Sequence, residues 1–160
     1  MKKIIVLTLI VFVLGWLSNT AYSQNFTNNA SMFTSNELIS PSDWINEEDI
    51  LIQGNYITIN FGNREIGLAR YANSGSMDPI LDIGANGIEI KPNSEEELQV
   101  GDIVTFKPFW SNKLIVHRII QIGNDDEGWY CVTKGDNNIL TDPGKLRYGE
   151  IESILAVILY

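Results

Sequence analysis

Short apolar runs that alternate with polar residues, separated by glycine-rich turns, most constrain the fold of this chain. From Ile66 onwards they occur at residues 66–71, 87–91, 103–106, 113–122, 129–133 and 151–160. Such runs are typical of β-strands, and no helical period longer than a turn or two follows Phe61. The Asp-Asp-Glu-Gly stretch at residues 125–128 indicates a hairpin. The chain is therefore predicted to be mainly all-β, as a coiled, partly closed β-barrel or a sandwich.

The first 23 residues indicate an export segment. A basic start, Met1-Lys2-Lys3, precedes an almost unbroken apolar run at residues 4–17. The run is shorter than the roughly 20 residues that span a bilayer comfortably, and residues 18–22 extend it only by adding polar groups. Small residues on both sides of Tyr22 are also typical of a signal-peptide cleavage site. Two interpretations remain, a single-pass anchor in the lipid bilayer or a removed signal peptide with secretion, and both place the later residues outside the cytoplasm.

The charge and the cysteine count exclude several classes of function. The net charge of −9 argues against a nucleic-acid partner, which requires a basic face. The single cysteine, Cys131, excludes an internal disulfide framework and a cysteine-rich metal site. No metal and no cofactor is predicted.

Residues 24–65 separate the export segment from the β-rich part at residues 66–160. Their first half is rich in Asn, Ser and Thr and shows little periodicity, as in a linker. Residues 56–61 alternate at period two and are strand-like. We interpret the whole region as an exported linker, a stalk or a lid.

Residues 73–79, Asn-Ser-Gly-Ser-Met-Asp-Pro, are predicted to form a turn whose residue types suit catalysis. Gly75 permits backbone angles that other residues resist, and Pro79 restricts the backbone of Asp78. Such a turn can hold one serine hydroxyl outward beside a backbone N–H, which is what a serine nucleophile and its oxyanion hole require. Taken alone, the residues also fit an ordinary polar turn.

His117 is the only histidine of the chain. Strand alternation puts it on the same face as Ile115 and Ile119, where desolvation favours the neutral imidazole that a general base needs. The alternative is a core histidine bonded to a backbone carbonyl.

The loop at residues 134–144 carries two carboxylates, Asp136 and Asp142. Either one can accept the second N–H of the His117 ring and so fix its tautomer. A turn whose Asp and Asn side chains cap their own backbone is the alternative. A calcium loop is a weaker one, because the spacing fits no recognised loop and no bidentate Glu follows.

Taken together and in this order, the motifs resemble those of type I signal peptidases of the archaeal and endoplasmic-reticulum branch. The resemblance covers about residues 66–158 and rests on four stretches: Ser-Gly-Ser-Met-Asp-Pro at 74–79, Gly-Asp-Ile-Val at 101–104, His-Arg at 117–118, and Lys-Gly-Asp-Asn-Asn at 134–138 with Asp142 after it. It implies a membrane-anchored serine endopeptidase with its catalytic domain on the outer face. Its substrates would be exported preproteins, cut after small residues at the first and third positions before the scissile bond.

The resemblance also implies residue roles. Ser76 corresponds to the nucleophile, His117 to the general base and Asp142 to the carboxylate that orients it. Asp136 is the family's other carboxylate, in a supporting role. The Ser76 N–H and the Ser74 hydroxyl correspond to the oxyanion donors, and Met77 packs under the site or lines the substrate pocket. Residues 24–64 have no clear counterpart in the housekeeping enzymes, which favours a specialised paralogue as strongly as a general one.

Three rival interpretations remain. A self-cleaving protease domain of the LexA-like group shares the broad fold but uses a lysine base in the cytoplasm. A non-catalytic exported β-domain would keep the fold as a binding module. A protease built on Cys131 and His117 would need an accessible thiol, whereas Cys131 lies among Trp129, Tyr130 and Val132 on an apolar strand.

Overall fold

The computed structural model describes Leu38–Tyr160. The predicted anchor or signal peptide at residues 1–23, with its bilayer contact, and the first part of the linker lie outside these residues. Between Leu38 and Tyr160, no helix has the length and apolar character needed to cross a membrane.

The described residues are mainly β-structure, which confirms the predicted class. The strands are β1 Ile50–Gln53, β2 Tyr56–Ile59, β3 Ile66–Arg70, β4 Asn86–Ile90, β5 Ile103–Phe106, β6 Ile115–Asp125, β7 Gly128–Lys134 and β8 Ile151–Leu159. Short 3₁₀ turns occur at Glu47–Asp49, Glu95–Glu97 and Tyr148–Glu150.

The strands form two sheets. β1 and β2 pair as an antiparallel hairpin, and the other strands form a six-stranded sheet in the order β3-β4-β8-β5-β6-β7. The predicted hairpin at residues 125–128 is confirmed, because Asp125 at the end of β6 pairs with Gly128 at the start of β7. β3 and β7 are the edge strands of the larger sheet.

Apolar clusters cover both faces of the larger sheet. Neighbouring residues of a strand point to opposite faces, and Val104 and Ile154 belong to one cluster whereas Ile103 and Leu155 belong to the other. The first cluster includes Phe106 and Cys131, and the second includes Met77. Because both faces are buried, adjacent side chains of β5 and β6 are held against different parts of the molecule.

The β1–β2 hairpin lies in the region interpreted from the sequence as a linker, stalk or lid. Its large side chains are exposed on both sides, as Ile52, Tyr56 and Ile57 illustrate.

Candidate active site

The serine turn follows the edge strand β3. Gly75 has φ +68°, a left-handed conformation that glycine adopts without the steric cost of a side chain. This confirms the expectation that the turn needs a glycine there. The Ser74 side chain is exposed and Ser76 is half-buried, so the second serine faces the interior side of the turn.

His117 lies on β6, paired with Val104 of β5. Its ring packs edge-on against Phe106, with the ring centres 6.4 Å apart, and only 7% of its side chain is exposed. His117 Nε2 lies 3.1 Å from Ser76 Oγ, and His117 Nδ1 lies 2.7 Å from Asp142 Oδ2. The structure therefore brings a hydroxyl, an imidazole and a carboxylate into one hydrogen-bonded series.

Asp142 is held by the end of β7. Its backbone N–H donates to Thr133 O at 2.8 Å, and the Thr133 hydroxyl donates to Asp142 Oδ2 at 2.7 Å. The same oxygen therefore faces both Thr133 and His117. The sequence interpretation missed Thr133, because a buried Thr on a strand carries no signal beyond its β-propensity.

Asp136 does not contact His117 but pairs with its neighbour Arg118. Arg118 donates from Nε and Nη2 to the two Asp136 oxygens at 2.8 and 2.7 Å, and the side chains are 3% and 1% exposed. His117 and Arg118 point to opposite faces of β6, as successive strand residues must. The geometry therefore answers the question left open by the sequence: Asp142 faces the imidazole, and Asp136 neutralises a buried guanidinium.

Asn137 holds both peptide units that flank Ser76. Its backbone N–H donates to Ser76 O at 2.9 Å, and its side chain Nδ2 donates to Gly75 O at 2.9 Å. The adjacent Gly135 makes this approach possible, because a Cβ there would lie 2.5 Å from Ser76 O. The loop thus fixes the direction of the Ser76 N–H as well as the position of its side chain.

Ser74 completes the group around Ser76. The Ser76 N–H donates to Ser74 Oγ at 3.4 Å, and the two serine hydroxyl oxygens lie 3.1 Å apart. The two predicted oxyanion donors, the Ser76 N–H and the Ser74 hydroxyl, therefore lie next to each other, close to Ser76 Oγ.

Met77 supports the turn from below. It is 4% exposed and belongs to the apolar cluster that contains Leu81, Ala85, Ile103 and Leu155. The Asp136 N–H approaches its sulfur at 3.4 Å. Met77 also borders a groove beside Ser76 and His117, so its side chain both packs in the apolar cluster and lines that groove.

A groove of about 900 Å³ runs beside Ser76 and His117. It is bordered by β3 and Tyr71 on one side and by Trp110, Leu114 and Val116 on another. Glu89 lies in its wall, buried, and accepts hydrogen bonds from the hydroxyls of Tyr71, Thr105 and Ser153 at 3.2, 2.8 and 2.5 Å. Burial, together with the Glu89 charge, raises the pKa of the Tyr71 hydroxyl, so Tyr71 stays a neutral donor.

Cys131 is unsuited to nucleophilic chemistry. It is fully buried in the first apolar cluster, and burial raises the pKa of its thiol to about 12. The reactive form of a cysteine is the thiolate, which is scarce at such a pKa. Within residues 38–160, no group of three or more His, Cys, Asp or Glu side chains is arranged to hold a metal ion.

The chain is similar to several proteins named signal peptidases. It is 38% identical over 71 residues to the signal peptidase complex catalytic subunit SEC11 of Scheffersomyces stipitis, which is 44% of this chain and 42% of that protein. It is 36% identical over 69 residues to signal peptidase I W of Bacillus subtilis, covering 43% of this chain and 36% of that protein. It is also 36% identical over 78 residues to human SEC11C, another catalytic subunit, covering 48% of this chain and 40% of that protein.

No family model and no solved structure matches the chain. The matched segments span about two-fifths of each curated relative or less. The similarity thus relates this chain to the signal peptidase family, and it does not distinguish the branches of that family.

Proposed function

We propose that this protein is a serine endopeptidase that removes signal peptides, or cuts similar small-x-small sites, in exported proteins. The observation that carries the proposal is the hydrogen-bonded series of Ser76 Oγ, His117 and Asp142, with distances of 3.1 and 2.7 Å. A nucleophile, a base within reach of it and a carboxylate behind the base are what acyl transfer by serine requires.

In this mechanism His117 Nε2 accepts the Ser76 proton while Oγ attacks the scissile carbonyl carbon. The His117 ring then donates that proton to the departing amine as the C–N bond breaks, which leaves an acyl-enzyme on Ser76. A water molecule, deprotonated by His117, hydrolyses the ester and releases the carboxyl product. Asp142 accepts the Nδ1–H throughout, which keeps Nε2 free to act as the base and stabilises the imidazolium.

The Ser76 N–H and the Ser74 hydroxyl stabilise the negative charge of the tetrahedral intermediate by donating hydrogen bonds to its oxygen. Asn137 holds the peptide unit that carries this N–H through its bond to Gly75 O, so the donor is oriented before substrate arrives. The Ser74 hydroxyl must turn from Ser76 towards the substrate oxygen, which also frees the N–H that it accepts at present. Met77 supports the turn and contributes to the wall that receives the substrate side chains.

A histidine base supports membership of the archaeal and endoplasmic-reticulum branch rather than of the lysine branch. Within the part of the chain that the structure describes, His117 and not a lysine lies at hydrogen-bond distance from Ser76 Oγ. Lys134, in the neighbouring loop, donates to the carbonyls of Gly135 and Asn138 instead. The same contacts argue against the LexA-like alternative, which would need a lysine at Ser76.

For the cell, we propose a single-pass anchor at residues 1–23 with the protease domain on the outer face of the membrane. The apolar run at residues 4–17 supports this, and so does the similarity to signal peptidases. The substrates would be exported preproteins, and the alternative remains a secreted enzyme whose own signal peptide has been removed.

The test is cleavage of a preprotein with a small-x-small site by the full chain in detergent. Ser76→Ala should abolish cleavage while the protein stays folded, and Ser74→Ala should reduce it by a smaller factor of roughly 10²–10³, as for the loss of one oxyanion donor. His117→Lys should be nearly inactive, because a longer amine does not meet Asp142. If Ser76→Ala cleaves as well as the parent, or if the parent cleaves nothing and only binds, the non-catalytic β-domain is the better description.

A further inference from the structure

Asp102 binds a segment that the sequence interpretation assigned to the linker. We call residues 39–44 the upstream segment. Asp102 has no exposed surface, and its Oδ1 accepts hydrogen bonds from the Ser42 N–H at 2.8 Å and from Trp44 Nε1 at 3.2 Å. Its other oxygen accepts from the Gln99 N–H at 2.9 Å. A buried carboxylate needs such donors to offset its lost hydration, and the upstream segment supplies most of them.

Arg118 binds the same segment from the other side. Besides its two bonds to Asp136, it donates from Nη1 to Ile39 O at 3.1 Å and to Gly101 O at 2.7 Å. Gly101 allows the close approach, because a Cβ there would lie 2.2 Å from Ser40 O. The upstream segment therefore packs against the Arg118 guanidinium and the backbone at Gly101, where the absence of a side chain leaves space for Ser40.

These contacts continue into the candidate active site. Arg118 is the covalent neighbour of His117 on β6. Its partner Asp136 precedes Asn137, whose N–H and side chain hold the carbonyls of Ser76 and Gly75. The upstream segment thus contacts, through one guanidinium, the strand that carries the base and the loop that holds the nucleophile.

We propose that the upstream segment is part of the active-site scaffold and that Arg118 is a positioning residue that transmits its seating to His117 and Ser76. When the segment leaves its place, Arg118 loses the Ile39 carbonyl and Asp102 loses two donors, so both buried charges have to find new partners. The pair Arg118–Asp136 then shifts, and the imidazole and the serine turn shift with it. The effect on catalysis rests on the proposed function, whereas the effect on the geometry of His117 does not.

The main test compares two glycines in the full 160-residue chain. Gly101 and Gly128 both have positive φ, +109° and +100°, but a Cβ at Gly128 meets nothing within 4 Å. Gly101→Ala and Gly128→Ala therefore carry similar backbone strain, and only Gly101→Ala displaces the upstream segment. Because His117 is the only histidine, its ring resonances in NMR spectra are unambiguous.

We expect Gly101→Ala to shift the His117 ring resonances and to lower kcat at least about tenfold with KM nearly unchanged, since small misplacements of catalytic groups are costly. Gly128→Ala should leave both readouts at the parent values. The proposal is overturned if folded Gly101→Ala leaves the His117 resonances in place, or if Gly128→Ala moves them equally.

A second pair of variants decides the matter if Gly101→Ala does not fold. Trp44→Phe keeps an aromatic side chain but removes the N–H bond to Asp102. Ser42→Ala keeps the backbone N–H that binds Asp102 and removes a buried hydroxyl that has no partner among the described residues. Trp44→Phe should shift the His117 resonances and lower kcat a few-fold, and Ser42→Ala should do neither. Unmoved resonances in Trp44→Phe would overturn the proposal. A chain that cleaves nothing, yet shows the shifts, would instead contradict the proposed function and leave the seating of the segment intact.

Discussion

Two carboxylates from one loop meet two adjacent residues of one strand, with different consequences. Asp142 faces His117 at 2.7 Å and stays in contact with the groove, whereas Asp136 binds Arg118 through two bonds and is 1% exposed. The first pair can take part in proton transfer, because an imidazole can both accept and donate a proton. The second pair cannot, because a guanidinium remains charged.

The difference shows how a β-strand separates chemistry from support. Alternation sends His117 towards the serine turn and Arg118 to the opposite face, where the upstream segment and Gly101 lie. One loop serves both faces, because its Asp142 contacts His117 and its Asp136 contacts Arg118. Substitutions in the two pairs should therefore differ in whether they lower activity or stability.

Asp142→Asn should remove most of the activity and little of the stability. The amide can donate to His117 Nδ1, which favours the wrong tautomer, and kcat should fall by roughly 10³–10⁴ as in other serine proteases. Single-turnover cleavage and thermal unfolding would be measured on the same preparation. A variant as active as its parent would mean that Asp142 is not the orienting carboxylate.

Asp136→Ala should lower mainly the stability, and the folded fraction should also lose some activity, because Arg118 is proposed to position His117. It leaves the Arg118 guanidinium buried without its counter-charge, and the free energy of unfolding should fall by about 3–5 kcal/mol. Denaturant unfolding gives this value, and cleavage is then normalised to the folded fraction. Replacing both partners, Arg118→Met with Asp136→Leu, should recover part of the stability, because no unpaired charge remains. Equal stability of Asp136→Ala and parent would contradict the assigned role.

Thr133→Val should weaken the support of Asp142 while the contact between Asp142 and His117 remains. The substitution is nearly isosteric and removes one hydroxyl donor to Asp142 Oδ2, so we expect kcat to fall roughly tenfold, or about 1.4 kcal/mol. Thr133→Ser keeps the hydroxyl and serves as the matched control. If both variants lose activity equally, the methyl group matters and the hydroxyl does not.

Glu97→Gln adds a third, more exposed pair to the comparison and should have the smallest effect. Arg64 donates two hydrogen bonds to Glu97, which lower the pKa of that carboxyl from 4.5 to about 2. A lowered pKa means that the pair stabilises the fold above about pH 4.5 and that this contribution disappears as the pH falls towards 2.

The stability difference between parent and Glu97→Gln should therefore be about 0–1 kcal/mol at neutral pH and should shrink on acidification. Thermal unfolding across that pH range measures it. A difference that grows as the pH falls would contradict the sign of the shift.

Much of the fold follows from local patterns. The alternating runs predicted six strands of the larger sheet, and the Asp-Asp-Glu-Gly stretch predicted the turn between β6 and β7. These succeed because period-two burial and turn residues act over a few positions of the chain. In the β1–β2 hairpin the alternation at residues 56–61 predicted β2, whereas β1 shows no clear alternation and its apolar side chains are exposed.

The sequence by itself determined which residue types are available: one histidine, a serine beside a glycine, and two carboxylates in one loop. Their choice of partner was decided only by the tertiary structure. Asp136 and Asp142 are the same chemical group a few residues apart, and no local rule says which one reaches His117. The pairing of β5 with β6, the path of the loop and the seating of residues 39–44 decide it, because hydrogen bonds depend on distances that close only when remote segments pack together.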